Sequence, residues 1–200
     1  MEPAETYELL RNLTSPIVAI TTTWRGRHNG MVADSAARAS LSPRAPRVAI
    51  FVQKWNLSHE ILLRTGVFVM HVLHRGQWDL IWKIGFFSGR ERPDKLEEFR
   101  YRLGRLGRPV LGDCFAWLEC RIVNVMDGGA NTCVLADVVE AGRGPGADVM
   151  TAAHFRANLP AEWRPRYLER LAVAQAIAER YATPLEPLVW QGPEVEEPTR

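Results

Sequence analysis

The feature that most limits the fold of this chain is a pair of long strand-like runs, Phe115 to Met126 and Thr132 to Glu140, joined only by Asp127-Gly128-Gly129-Ala130-Asn131. So short a connection, rich in glycine and in Asp and Asn, turns the chain back on itself as a hairpin, because a parallel crossover needs a dozen or more residues. The two runs therefore read as an antiparallel ribbon. Short connections recur upstream. Ile17 to Trp24 is almost wholly β-branched or aromatic, Asn29-Gly30 reads as a turn, and Met31 to Ser40 reads as a strand of small and polar residues. After Pro43 and Pro46, Val48 to Gln53 is a short apolar run of the kind found in a buried strand. Strands separated by turns rather than by long helices favour an antiparallel barrel or sandwich over a parallel βαβ sheet.

Helical periodicity enters in three places. Leu57 to Thr65 carries Leu57, Ile61 and Leu62 on one face and stops at Gly66, after which Val67 to Leu73 returns to strand. Between Gly76 and Gly107 the pattern predicts one helical piece around Trp78, Ile81 and Trp82, and a second opened by Pro93 with Leu96, Phe99 and Leu103 on one face. From Thr151 to Ala182 the chain is rich in Ala and Arg, and Tyr167, Leu171, Ala174, Ala178 and Tyr181 mark one face of a helix packing on a neighbour. Pro184 and Pro187 end it, Leu188-Val189-Trp190 suggests a last edge strand, and Glu194, Glu196 and Glu197 a solvated acidic tail.

Composition narrows the function classes. With 200 residues, 46% hydrophobic and 24% charged, the chain fits one globular domain, or one with an appended helical segment. Its net charge of +2 argues against a dedicated nucleic-acid binder. The N-terminus has no apolar run of signal length and no stretch approaches the ~18 apolar residues of a membrane span, so a cytoplasmic protein without a membrane partner is expected. Cys114, Cys120 and Cys133 form neither a CxxC nor a zinc pattern, which leaves reduced, buried thiols and no metal site.

Three segments could carry chemistry. Lys54-Trp55-Asn56-Leu57-Ser58-His59 lies between a strand and a helix start, where unsatisfied N–H groups, the helix dipole, the Asn56 and Ser58 side chains and the Lys54 charge could hold a phosphate. The plainer alternative is that Asn56 or Ser58 simply caps the helix. Lys54 also stands out by scarcity, because the 25 basic residues include only three lysines. Asn29 to Pro43 is built from small residues that would let a flat heterocycle approach the backbone, with Ser35 and Ser40 as donors; a closely packed barrel interior would use the same residues. Gly142 to Ala147 matches G-x-G-x-x-A by the letter, but Pro145 removes a donor and the strand before it belongs to the hairpin, so a surface loop is expected. The arginines at 90, 92, 100, 102, 105 and 108 read as a solvated face or as partners for nucleotide phosphates.

Taken in order, SPIVAITTT at 15–23, NGMVADSAARASLSP at 29–43, NLSHEILLRTGVFVMHVL at 56–73, FFSGRERPDKLEEF at 86–99 and PVLGDCFAWLECRIVNV at 109–125 resemble the flavin reductase-like family. The resemblance implies a mainly β fold: an antiparallel six-stranded split β-barrel with flanking helices, here with a C-terminal helical extension. It implies that Met31, Val32, Ala33, Asp34 and Ser35 lie along a flavin ring, that Ser40 lies near the ribityl chain, and that Asn56, Ser58 and His59 meet the phosphate. It places Lys95 where the family often has a lysine before an aromatic residue. Lys54 and Trp55 belong to the same candidate phosphate segment. The implied activity is NAD(P)H-dependent reduction of FMN or FAD by hydride transfer, in a homodimer, with a flavin-dependent monooxygenase as a possible electron acceptor.

This chain also departs from the family's common string NGMTASSF. Val32 stands for the threonine, Asp34 for the first serine and Ala36 for the phenylalanine, which removes two hydroxyls and brings in a carboxylate. Gly129-Ala130-Asn131 stands where reductases of the family often have GDH, and Asn131 supplies no proton at neutral pH. A non-enzymatic FMN-binding or electron-carrying protein that has lost its nicotinamide site is therefore a competing expectation, and an oligomeric module without flavin a third. The expected division is a flavin-binding barrel over residues 1–147 and, over 148–200, a helical extension and tail packing on the barrel or on a dimer partner, there for dimer contacts or for covering the site.

Overall fold

The structure is a computed structural model and describes residues 9, 10, 13 and 15–181. The seven-residue strands β1 (Val18–Trp24) and β2 (Arg27–Ala33) form the first hairpin. Its turn is Arg25-Gly26, at φ 50° and 76°, rather than Asn29-Gly30, which lies inside β2 opposite Thr22 and Thr21. Two positive-φ residues in a two-residue loop match the twist of the flanking strands, and this is what displaces the turn from the Asn-Gly pair.

The run from Met31 to Ser40 is not one strand. After β2 the chain leaves the sheet at Asp34-Ser35 and resumes as β3 (Ala36–Arg38), which pairs with β4 (Arg47–Gln53). The remaining main strands are β5 (Val67–Val72), β8 (Ala116–Asp127) and β9 (Asn131–Arg143), and β6 (Tyr101–Leu103) pairs separately with β7 (Pro109–Leu111). The antiparallel main sheet runs β2-β1-β5-β8-β9-β4-β3, so the described barrel has seven strands where six were expected. Strands β2 and β3, adjacent in sequence, are the two outer edges of this sheet. Asp34-Ser35 is thus the seam that carries the chain from one edge to the other, and Ser35 fastens it by donating its Oγ hydrogen to Phe51 O at 2.9 Å. The curled sheet closes into a split barrel there.

Two apolar cores flank the sheet. Val18, Ile20, Ile50, Val52, Phe68, Met70 and Val134 fill the barrel, whereas Ile17, Ala19, Leu73, Ile81, Ile84, Leu96, Met150, Phe155 and Leu159 pack outside it under the helices. β1 is buried on both faces from Val18 to Thr22, which is why no charged residue alternates with the apolar ones there. β4 is buried on one face only, and Phe51 remains 43% exposed despite the run VAIFVQ.

Helix α1 (Leu57–Thr65) has the limits its periodicity predicts. Helix α2 (Trp78–Leu80) continues as a π-helical turn over Ile81–Gly85. The helix expected after Pro93 is absent: 94–99 is a chain of turns closed by Glu97 N–H to Asp94 O and Phe99 N–H to Leu96 O, and Leu103 belongs to β6. The segment from 151 divides into α3 (Ala152–Ala157), a 3-10 turn (Ala161–Trp163) and α4 (Arg164–Glu179). Pro160 has no N–H to continue a helix, and Pro165 suits the first turn of the next. Residues 150–159 are not peripheral, because Met150, Ala152, Phe155 and Leu159 are core residues. The strand suggested at 188–190 and the acidic tail lie outside the described residues. Among the described residues no helix is long and apolar enough to cross a membrane.

Candidate active site

A cavity of about 540 Å³ lies beside the seam, within the range of roughly 300–1,000 Å³ usual for small-molecule sites. Gly30 to Ala33 of β2, with Asp34 just after it, form one wall, and Gln53 with Trp55 to Ser58, at the start of α1, form an end. The π-helical turn and the loop after it contribute Ile81, Ile84 to Gly89, Glu91 and Lys95, and Phe155, Arg156 and one face of α4 cover the remaining side.

Several local features keep this space open. Gly85 crosses Val32 so closely that a Cβ there would lie 3.0 Å from Val32 Cβ. Gly89 is pressed against the start of α1, where a Cβ would overlap Asn29 Oδ1. Asn56 takes the N-cap position of α1 but makes no side-chain capping bond, so its amide is left for the cavity it lines. Ser58 Oγ instead accepts a hydrogen bond from Asn29 Nδ2 at 2.7 Å, and the buried Asn29 Oδ1 has no partner among the described residues.

Lys95, only 2% exposed, turns inward and donates from Nζ to Ile84 O at 3.0 Å and Phe87 O at 2.8 Å. These bonds hold the turns at 94–99 against the π-helical turn, which accounts for the missing helix. Burial, helped by the nearby Arg170, lowers its pKa to about 8, so Lys95 is still mostly protonated at neutral pH.

Of the residues expected from the sequence, Met31, Val32, Ala33, Asp34, Trp55, Asn56, Ser58 and Lys95 meet on this cavity. Four do not line it. Ser35 is spent on the seam, and Ser40 Oγ accepts from Ser42 N–H at 3.1 Å. Lys54 pairs with Asp127 Oδ1 at 2.7 Å, drawing that carboxyl below its ordinary pKa. His59 Nε2 lies 2.8 Å from Thr132 Oγ1, and burial followed by the Lys54 charge lowers its pKa. Lys54 and His59 thus clamp the β8–β9 hairpin, with Lys54 N–H bonding to Ala130 O at 3.1 Å. None of the six clustered arginines lines the cavity; Arg90 instead bonds Trp55 O and Glu60. The loop at 142–147 makes no phosphate cradle, since its Gly144 and Gly146 N–H groups are spent on Phe115 O and Cys114 O. Burial pushes the Cys114 and Cys120 thiols up to about 11 and about 12, while Cys133 is only half-buried.

The sequence reading missed Gly85, Phe87 and Gly89, whose roles depend on partners far along the chain, whereas a covering role for the C-terminal extension was one of its two expectations. The repeat through Tyr167, Leu171 and Ala174 marked the helix face that covers the cavity.

The cavity's contents fit a flat, phosphorylated heterocycle. Small or apolar side chains line one wall, an amide and helix-start N–H groups occupy one end, and a buried cation sits on the flank. Comparison with known proteins agrees with this. The chain is 33% identical over 148 residues to a high molecular weight rubredoxin of Moorella thermoacetica, an alignment covering 73% of this chain and 63% of that protein. It is 32% identical over 149 residues to an NADH-dependent FAD reductase of Streptomyces globisporus, covering 72% and 79% of the two chains. Among solved structures, nitrilotriacetate monooxygenase component B from Mycobacterium thermoresistibile superposes with a TM-score of 0.65 at 25% identity, covering 74% of this chain and 81% of the other. The flavin reductase like domain model matches residues 10–161, and on the fold, the site and this match the chain belongs to the flavin reductase like family.

Proposed function

We propose that the protein is a flavin-binding oxidoreductase that reduces FMN or FAD with a hydride from NADH or NADPH. The observation that carries this reading is the open cavity at the barrel seam, into which the N-terminal end of α1 presents an Asn56 side chain that makes no capping bond. Flavin, when bound, supplies the hydride-accepting chemistry. The chain's own tasks are then to hold the phosphate at the α1 end, to flank the ring system with β2 and to exclude water with Phe87 and α4. Asp34 makes a second negative charge unfavourable at that wall. The monooxygenase component among the similar structures supports a flavin-dependent monooxygenase as electron acceptor.

One observation favours the alternative of a flavin-binding electron carrier. Gly129-Ala130-Asn131 provides no histidine, and this hairpin tip does not line the cavity. Anaerobic mixing separates the two readings. A reductase loaded with flavin should lose its flavin absorbance band within seconds of adding NADH or NADPH. Flavin that binds but stays oxidised with both would leave the carrier.

A further inference from the structure

Helix α4 lies beyond the stretch that the family model matches, at 10–161, yet it forms one side of the cavity. None of its residues is buried. A helix of 16 residues is marginal unless an amphipathic face packs on something, and here the inward face looks across the open cavity. Its ends are anchored. Trp163 stacks on Trp82 at 4.8 Å just before the helix, and Tyr181 stacks on Trp55 at 6.2 Å just after it. Between these anchors Tyr167 packs on Phe86 and Phe155, and the rest of the inward face roofs the cavity.

Two arginines one turn apart occupy the first half of this roof. Arg166 lies 4.8 Å from the centre of the Phe87 ring, and its Nε is shielded from solvent without a hydrogen-bond partner among the described residues. A desolvated guanidinium N–H with no acceptor is costly, so its position requires an explanation. Arg170 reaches only 3.7 Å from Glu91 Oε2, and that carboxylate oxygen already accepts the Ser88 N–H at 2.9 Å. Lys95 faces the same space and commits two of its three N–H donors to carbonyls. The carboxylates on the same walls are Asp34, Glu91 and Glu169.

Resting on the flavin-binding reading above, we infer that Arg166 and Arg170 are specificity-determining residues that hold a phosphate group of the nucleotide seated under α4. A planar guanidinium stacked on an aromatic ring presents its N–H edge to phosphate oxygens in a forked geometry. The phosphate could come from the flavin or from the nicotinamide dinucleotide, and the test separates these sources.

The test uses the full chain and the double variant Arg166→Gln/Arg170→Gln. Fluorescence titration gives Kd for FMN and for riboflavin, which lacks the phosphate, and calorimetry gives Kd for NAD+ and NADP+ on the flavin-loaded protein. A tenfold or greater loss of FMN affinity with riboflavin unchanged assigns the arginines to the flavin phosphate. Unchanged flavin affinities with a tenfold loss for a dinucleotide assign them to the dinucleotide. The inference is overturned if every constant stays within twofold, or if FMN and riboflavin weaken equally, which would make the roof an apolar cover only. Should the double variant fail to fold, the single variants carry the same comparison with severalfold effects. A wild-type chain that binds no flavin removes the underlying reading; one that binds flavin while the variants change nothing removes only this inference.

Discussion

His71 sits on β5 with no exposure to solvent, and both of its ring nitrogens are occupied. One lies 3.2 Å from Ala19 O and the other accepts the Leu111 N–H at 3.0 Å, so the neutral tautomer with hydrogen on Nδ1 satisfies both. Burial lowers its pKa from 6.5 to about 4. Below pH 6.5 the unfolded chain takes up a proton that the folded chain refuses, so His71's contribution is intact above that pH and is lost as pH falls toward 4. The expected loss is about 2 kcal/mol between pH 7 and pH 5, above the range where carboxylates titrate. Urea unfolding at the two pH values measures it, and His71→Gln should be less stable at pH 7 with most of this pH dependence gone. An unchanged slope in the variant would refute the assignment. None of this was legible in the sequence, which shows His71 only as one polar residue in VFVMHVL. Its acceptor and donor lie 52 and 40 residues away. Asn56 differs, because its place before a helical period announced a helix start, and only its unused side chain needed coordinates.

Elements whose signals are local were readable. α1 begins and ends where its apolar spacing and Gly66 place it, because the cap is built within one turn: Gly66, at φ 67°, donates its N–H to Leu62 O at 2.8 Å. No atom lies within 4 Å of a Cβ built there, so Gly66→Ala should cost about 1 kcal/mol through backbone strain alone. Thermal unfolding measures that cost, and a variant as stable as wild type would show that the left-handed cap is not needed. The β8–β9 hairpin was equally legible, since both runs and their turn are contiguous. The small-residue strand was not. Composition cannot show that Ala36 pairs with Ile50 while Ala33 pairs with Val18, and it is this exchange of partners that breaks the run at Asp34-Ser35. The turns after Pro93 were hidden in the same way, because Lys95 turns inward to carbonyls 8 and 11 residues away.

At the scale of the whole molecule, large apolar side chains stand exposed on the outer face of the sheet. Phe51, Cys133 and Met126 lie in register across β4, β9 and β8, and Phe51 and Met126 are 43% and 58% exposed. A second copy of the chain is the proposed cover, as the resemblance implied. Phe51→Asp with Met126→Asp should then convert a dimer into a folded monomer, read by light scattering after size exclusion. A wild-type chain that is monomeric at tens of micromolar would end the proposal. The sequence by itself determined most of the strands, the limits of α1, the β8–β9 turn and that the sheet is antiparallel, because short-range sterics and apolar period decide those. The tertiary structure alone decided that the chain crosses between sheet edges at Asp34-Ser35. It alone decided that Lys54 and His59 hold a hairpin while Lys95 faces a cavity, and which residues α4 brings over that cavity. Each depends on contacts between residues distant in sequence, and these form only when the curled sheet brings its edges together.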